Sequence, residues 1–334
     1  MPEGPEVRRH ADSVGAALNG QEITAVLART QQAKAWLLEH PGEIVGRRVQ
    51  RVHAIGKNLL IRFEDDLFCY SHLMMWGRWQ IAPNTGDDPI DRRERARLST
   101  SAQHAILLSA PIFQIHRGPL ERVETLRLVG PDILPDPERG YARFDEAEFR
   151  RRLRLPHSRE REIGAVLLDQ EVVAGIGNYL RAEILFECRL SPFLRVDELA
   201  PSDVERLCEE IPRVALLAYQ TAGATLPDEQ QKRMKEDASL VYSPSEWGMR
   251  HWVFRRTNLP CLRCGEGVRQ VKQVTRVWED DEGSNEKSRV IYFCPICQSV
   301  PPERLPPKRK PSARRPKIVP NEGLVDEAQL LEGA

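Results

Sequence analysis

Two cysteine pairs near the carboxyl end constrain this chain more than any other feature. Cys261-Leu-Arg-Cys264 and Cys294-Pro-Ile-Cys297 are C-x-x-C hooks, and two such hooks present four thiolates in the tetrahedral set that zinc prefers. Gly265 follows Cys264 and suits the tight turn of a zinc knuckle. The pattern predicts a zinc β-hairpin over residues 252–299 with one structural Zn2+, because four thiolates leave no open position for catalysis. The alternative is a redox pair or two disulfides, but neither hook sits in a strand–helix redox context. The 29 residues between Cys264 and Cys294 exceed the roughly 15–20 of common ribbons. The acidic, polar run from Glu279 to Lys287 is expected to take up the excess as a loop at the hairpin tip. Cys69, Cys188 and Cys208 are scattered and read as buried, unpaired thiols.

The amino end, Met1-Pro-Glu-Gly-Pro-Glu-Val-Arg-Arg-His-Ala11, carries the second constraint. Once Met1 is removed, Pro2 offers a secondary amine, with Glu3 directly after it. Such an amine attacking a sugar aldehyde carbon gives an iminium ion, charged without protonation, and a neighbouring carboxyl can shuttle the protons. Alternatively, Pro2 is a disordered start and Glu3 and Glu6 only favour a helix. Pro5 suits a first turn, Val7, Ala11, Val14 and Leu18 share a face, and Gly20 stops the helix.

At 334 residues the chain is long enough for about two domains. Its formal net charge is zero, so overall charge does not point to nucleic acid. Distribution says more: Arg304, Lys308, Arg309, Lys310, Arg314, Arg315 and Lys317 form a basic run without an acid, and the end of the chain is acidic. No apolar run suits a bilayer and no signal-peptide core is present, so a soluble cytoplasmic protein is expected.

Short strands are expected at Ile44–Ile55, Leu59–Phe63, Leu67–Tyr70, Gly77–Ile81, Arg95–Ser99 and Ala105–Leu108, with a hairpin turn at Gly56-Lys57-Asn58. Pro131–Pro137 reads as a linker. Helices are expected at Phe144–Leu153, Glu162–Leu168, Tyr179–Phe186 and Ser202–Ala218. Residues 224–250 read as a mobile loop, and the Pro/Lys/Arg-rich segment after Pro301 as a disordered tail.

Gln170-Glu-Val-Val-Ala-Gly-Ile-Gly-Asn-Tyr179 joins two helices through Gly175 and Gly177. Asn178 is expected to cap the second helix, and free N–H groups there would bind phosphate; an ordinary glycine stop followed by an asparagine cap is the plainer reading. Together the Pro-Glu start, the β region, the lysine hairpin, the Gly-x-Gly-Asn turn and the four-cysteine hairpin resemble the formamidopyrimidine-DNA glycosylase/endonuclease VIII family. The opening PEGPEVRR, Tyr70-Ser-His72 and the LLDQ…GIGNYLRAEIL block are similar to its bacterial endonuclease VIII branch. The resemblance covers residues 1–299.

The resemblance implies an α+β multidomain fold. An N-terminal antiparallel β-sandwich with flanking helices would span residues 1–135 and a helix-two-turn-helix domain 136–251, followed by the zinc hairpin and a 300–334 tail that is basic and then acidic. It implies a monomeric base-excision DNA glycosylase with AP lyase activity on damaged double-stranded DNA, cleaving by β,δ-elimination. Pro2 matches the Schiff-base nucleophile and Glu3 the acid/base. Lys57 matches the lysine of phosphate binding and β-elimination, Asn178 a phosphate contact, and Arg289 the zinc-hairpin arginine tied to δ-elimination. Met74, Met75 and Trp76 stand where the endonuclease VIII pattern has a polar-apolar-aromatic set that fills the gap left by an extruded nucleotide, so the opposite-base preference stays open. Leu128 replaces a family arginine, with Arg127 beside it. The acidic hairpin tip is expected to point away from phosphate, and the tail to act as a flexible arm adding DNA affinity. The alternative is a non-catalytic zinc-containing DNA-binding relative, against which intact Pro2, Glu3 and Lys57 argue. The preferred lesion is left open.

Overall fold

Helix α1 (Gly4–Leu18) has Pro5 in its first turn, and Glu6 Oε2 accepts from the Glu3 backbone N–H at 2.8 Å. A computed structural model describes residues 1–86, 89–134, 136, 143–241, 246–280 and 283–305. The predicted stripe of Val7, Ala11, Val14 and Leu18 is buried. It packs into a core shared by two antiparallel sheets. The elements that follow are β1 (Ala25–Ala28), α2 (Gln31–Glu39), β2 (Val49–Ile55), β3 (Asn58–Phe63), β4 (Leu67–His72), β5 (Arg78–Pro83), β6 (Glu94–Ser99), β7 (Gln103–Leu108) and β8 (Ile112–Arg117).

One sheet runs β1-β6-β7-β5 and the other β2-β3-β4-β8. Leu59, Ile61 and Phe63 of β3 meet Leu98 of β6 and Leu107 of β7 between the sheets. On the outer face Leu60, Phe68 and Tyr70 are covered by Val123 and by Leu126 of α3 (Glu124–Leu128). Burial on both faces explains why Leu59, Leu60 and Ile61 of β3 are apolar in succession rather than alternating with polar residues. Residues 44–48 are not strand, contrary to the sequence expectation. β1, α2 and β8 escaped the pattern: β1 has only Ala28 buried and α2 only Ala33 and Trp36.

The second half contains α4 (Glu146–Leu153), α5 (Pro156–Arg159), α6 (Ile163–Val166), α7 (Asn178–Glu187), α8 (Pro201–Gln220) and α9 (Asp228–Glu236). Phe149, Ile163, Val172, Leu180, Ile184, Leu207 and Ile211 form its core. Two segments correct the sequence reading. Residues 224–250 are not simply a loop: α9 and short 3-10 turns bring Met234, Leu240 and Met249 against Phe186 and Trp252. One buried methionine in an otherwise polar helix leaves almost no periodic signal. The expected linker is anchored over Pro131–Leu134, where Asp132 bridges Ala174 and its Oδ2 accepts from the Gly56 N–H at 2.7 Å. Pro135 and Pro137 lie outside the described residues.

The zinc-type hairpin is longer than expected. β9 (Arg269–Asp280) and β10 (Gly283–Phe293) stay paired through most of the acidic run, with a register irregularity at Lys287/Ser288. Glu279 and Lys287 are therefore in strands, not in a tip loop. Asp281 and Glu282 lie outside the described residues, as does the tail from Pro306 onward. Pro302–Arg304 form a turn, and Arg304 pairs with Glu162 at 3.0 Å. Among the described residues no helix is long and apolar enough to cross a membrane.

Glu183 of α7 fixes the approach to this hairpin. Fully buried, it accepts from the backbone N–H groups of Trp252 (2.7 Å), Val253 (3.0 Å) and Phe254 (2.9 Å) and from the Thr225 hydroxyl (2.5 Å). Burial raises its pKa while these donors oppose the rise. Glu183→Ala would leave three backbone N–H donors without their acceptor, so a loss of at least about 3 kcal/mol of stability is expected. Denaturant unfolding measures it, and a wild-type midpoint would contradict the assignment.

Candidate active site

The turn before α7 has Gly175 at φ +107°, in the left-handed region that favours glycine. Its carbonyl accepts from the Gly4 N–H at 2.9 Å, which brings the amino end of the chain onto the start of α7. Gly177 is needed for closeness: a Cβ there would lie 2.3 Å from Glu3 Cδ and 2.4 Å from Glu3 Oε1. Glu3 Oε2 accepts from the N–H groups of Gly177 at 2.7 Å and Leu180 at 3.2 Å, and Oε1 accepts from Tyr179 at 2.9 Å. A carboxylate is thus buried against the positive end of a helix.

This corrects the sequence reading of the turn. Gly177, not Asn178, is the N-cap, and the N–H groups expected to be free for phosphate are taken by Glu3. Asn178 is the first helical residue. Its Oδ1 accepts from Arg181 Nη2 at 2.7 Å, which leaves the amide Nδ2 as its available donor.

Lys57 reaches the same turn from the β2–β3 hairpin. Its buried Nζ donates to the Ile176 carbonyl at 2.6 Å, an oxygen that also accepts from Gln170 Nε2 at 3.0 Å. Burial lowers the Lys57 pKa to about 8 against the pull of Glu3 and Glu6. Burial likewise raises Glu3, opposed by Lys57 and the three N–H donors. Glu6, whose Oε1 accepts from the Tyr179 hydroxyl at 2.8 Å, is raised to about 7 by burial and by the charge of Glu3. Two carboxyls and an amine with displaced pKa values therefore interact at the turn before α7, directly after half-buried Pro2 in the chain, an arrangement able to hold and move protons near neutral pH.

Arg289 is exposed on β10, next to Val290, whose carbonyl accepts from Arg181, and its charge lowers the pKa values of Lys57 and Arg181. Met74, Met75 and Trp76 form an exposed turn after β4, at the sheet end where His72 pairs with Asn58. Met74 has φ +54°, and its N–H donates to His72 Nδ1 at 3.1 Å. Burial and Lys57 hold His72 down to about 4, so that nitrogen stays an acceptor. Ser71 Oγ accepts from Trp79 Nε1, and Tyr70 donates to Asn58 Oδ1. The Tyr-Ser-His motif thus shapes the turn.

Sequence reasoning missed Arg181. Fully buried, it donates from Nη1 to the Gly164 carbonyl and Gln273 Oε1, and from Nη2 to Asn178 Oδ1 and the Val290 carbonyl. It ties α7 to both hairpin strands, and burial lowers its pKa to about 9. The i,i+3 spacing of Asn178 and Arg181 was the available signal. Far along the hairpin, the Sγ atoms of Cys261, Cys264, Cys294 and Cys297 lie within 4.8 Å of one another, with Cys264–Cys294 at 3.5 Å and Cys261–Cys297 at 3.9 Å. A tetrahedral site with metal–sulfur bonds of about 2.3 Å separates its sulfurs by about 3.8 Å, so the four thiols fit a metal ion. Cys69, Cys188 and Cys208 are buried and free, as expected.

A β-sandwich joined to a helical unit and a four-cysteine hairpin, with a buried acid directly after Pro2, defines a class of DNA glycosylases. Residues 1–111 match the formamidopyrimidine-DNA glycosylase N-terminal domain, and residues 133–229 match the H2TH domain of the same enzymes. Endonuclease 8 of Escherichia coli O9:H4 (strain HS) is 32% identical over 302 residues, covering 89% of this chain and all of the relative. Endonuclease 8 of Shigella sonnei (strain Ss046) is 33% identical over the same length. In fold the chain is similar to Lactococcus lactis Fpg complexed with abasic-site DNA (TM-score 0.67, 22% identity) and to MutM complexed with carbocyclic 8-oxo-G DNA (TM-score 0.66, 24% identity). Each likeness covers 89% of this chain and 99% of the other. The chain belongs to the formamidopyrimidine-DNA glycosylase/endonuclease VIII family, whose work is base excision repair.

Two substitutions test this geometry. Gly177→Ala must displace the Glu3 carboxylate or the turn, so a loss of about 2–4 kcal/mol is expected by denaturant unfolding; wild-type stability would refute the contact. Glu6 ionises less readily in the folded chain than its ordinary value of 4.5 allows. Its contribution is therefore complete below that value and is lost as pH rises through about 7. Glu6→Gln should reduce the fall in unfolding free energy between these values, and an unchanged profile would exclude Glu6 as its source.

Proposed function

We propose that this chain is a bifunctional DNA N-glycosylase and abasic-site lyase acting on damaged double-stranded DNA. The observation that carries this reading is Glu3: a buried carboxyl with a raised pKa, fixed by three backbone N–H groups immediately after Pro2 and close to Lys57. An acid held in that way serves a neighbouring amine nucleophile. Solved relatives bound to damaged DNA support the choice of partner.

With Met1 removed, the Pro2 nitrogen attacks C1′ of the extruded nucleotide, the damaged base leaves with the C1′–N bond electrons, and the proton shed by the Pro2 nitrogen neutralises the departing base. Glu3 delivers a proton to O4′ as the sugar ring opens, giving an iminium between Pro2 and C1′. Loss of a C2′ proton then expels the 3′ phosphate in β-elimination. Lys57, with a pKa near 8, has a neutral fraction able to accept that proton. Loss of the C4′ proton then expels the 5′ phosphate in a second elimination, with Arg289 offsetting its charge, and water hydrolyses the iminium to release Pro2. Asn178 Nδ2 donates to a backbone phosphate, and Met74, Met75 and Trp76 fill the vacated stack. Cys261, Cys264, Cys294 and Cys297 hold a structural zinc ion, the metal that suits four thiolates, and so fix the hairpin that carries Arg289.

Sodium borohydride should trap a covalent adduct with abasic-site DNA, which Pro2→Gly weakens and a retained Met1 blocks. Glu3→Gln should reduce base excision by at least about 100-fold while sparing much of the cleavage at preformed abasic sites. Equal loss of both activities in a folded protein would rule out this division of roles. Trapping by a chain that retains Met1 would rule out Pro2.

A further inference from the structure

The β9–β10 hairpin continues well beyond the pair Gln273–Arg289. Past it, Val274 faces Ser288 and, after Thr275, Arg276 faces Lys287, Val277 faces Glu286, Trp278 faces Asn285 and Glu279 faces Ser284. Cross-strand partners share a face of a ladder and successive residues alternate. Arg289, Lys287, Arg276, Trp278 and Asn285 therefore lie on one face. Val274, Ser288, Val277, Glu286, Glu279 and Ser284 lie on the other. Between Gln273 and Glu279, and between Ser284 and Arg289, both acids fall on the second face.

Gln273, the partner of Arg289, shares the first face but is buried against α6 and Pro192; beyond that pair the face is exposed and positively charged. Arg276 and Lys287 are exposed and pair with no acid among the described residues, and Trp278 is 40% exposed. Its root is rigid: the Thr275 carbonyl accepts from Arg161 Nη2 at 2.9 Å, and Gln273 Nε2 donates to Glu162 and to the Pro192 carbonyl at 2.7 and 2.9 Å. The surface also continues from Arg289 along the ladder. At about 3.3 Å per residue, Arg289, the Arg276–Lys287 pair and the Trp278–Asn285 pair follow one another at steps of about 7 Å. Each step matches the rise of about two base pairs of duplex at 3.4 Å each.

We propose that this face is a second DNA-binding strip, holding undamaged duplex about two to four base pairs from the nucleotide addressed by Arg289. Arg276 and Lys287 neutralise phosphates there, and the Trp278 indole lies against the sugar edge of the groove. The acids on the opposite face stay in solvent, and Asp280, paired with Gly283 at the end of the ladder, marks the limit of the strip. The inference rests on the DNA-glycosylase reading above and adds to it a segment with no part in the chemistry.

The test uses the full chain and duplexes carrying an abasic-site analogue, with flanks long on both sides or shortened on one. The double variant Arg276→Ala/Lys287→Ala should retain wild-type zinc content and saturating borohydride trapping. Its plot of log affinity against log salt should be shallower by about 1.8, the value for two lost phosphate contacts. Shortening one particular flank should erase the difference between variant and wild type. Trp278→Ala should weaken binding several-fold, and Trp278→Phe should restore most of it. An unchanged salt slope on the long duplex, in a wild-type protein that binds and traps normally, overturns the strip alone. A wild-type protein that neither binds nor traps damaged duplex overturns the DNA reading and the strip with it.

Discussion

The Glu3 carboxylate seated on the first N–H groups of α7 is the interaction on which the rest of the site depends. It joins the amino end, which belongs to the β-sandwich core through α1, to the helical unit 174 to 176 residues further along the chain. Burying a carboxyl is costly unless its oxygens are hydrogen-bonded. Three N–H donors offset that cost, and the helix dipole adds to them. Burial outweighs these donors and leaves the carboxyl with a raised pKa, which suits the acid role proposed for it. Lys57 shows the complementary effect, with burial pulling its amine toward neutrality.

α7 distributes this constraint. At its start, Arg181 binds Asn178 and the two hairpin strands; a half-turn later, Glu183 binds the backbone that leads into the first cysteine hook. One helix with two fully buried charges therefore sets the position of the amino end, the hairpin bearing Arg289 and the approach to the metal site. Such groups add little to net stability, because desolvation offsets much of their attraction. Their effect is on geometry, since any other arrangement would leave a buried charge without its partners.

The sequence made legible whatever depends on local chemistry. The four-cysteine hairpin, the helix behind Pro5, the turn at Gly56-Lys57 and the candidate residues Pro2, Glu3, Lys57 and Arg289 could all be located from spacing or resemblance. What it hid depends on pairing across long separations. Asn178 looks like a cap because nothing local reveals that Glu3 already occupies that position. Arg181 and Glu183 look like solvent-facing charges until the hairpin and the Trp252–Phe254 backbone are placed around them. The hairpin extension read as a polar loop because its two faces differ in charge rather than in hydrophobicity, so the period-two signal of a half-buried strand was absent. α9 was missed for a related reason, with Met234 its single buried side chain.

The most direct measurement of the central claim is residue-resolved amide hydrogen exchange at Gly177, Tyr179 and Leu180, in the wild-type chain and in Glu3→Ala. Strong protection of all three amides is expected in the wild type. In the variant that protection should fall together with the protection of Gly4, whose N–H bonds the same turn, while the core strands β3 and β7 keep theirs. Equal protection of the three amides in both proteins would show that Glu3 does not cap α7, and the account of how this site is assembled would be wrong.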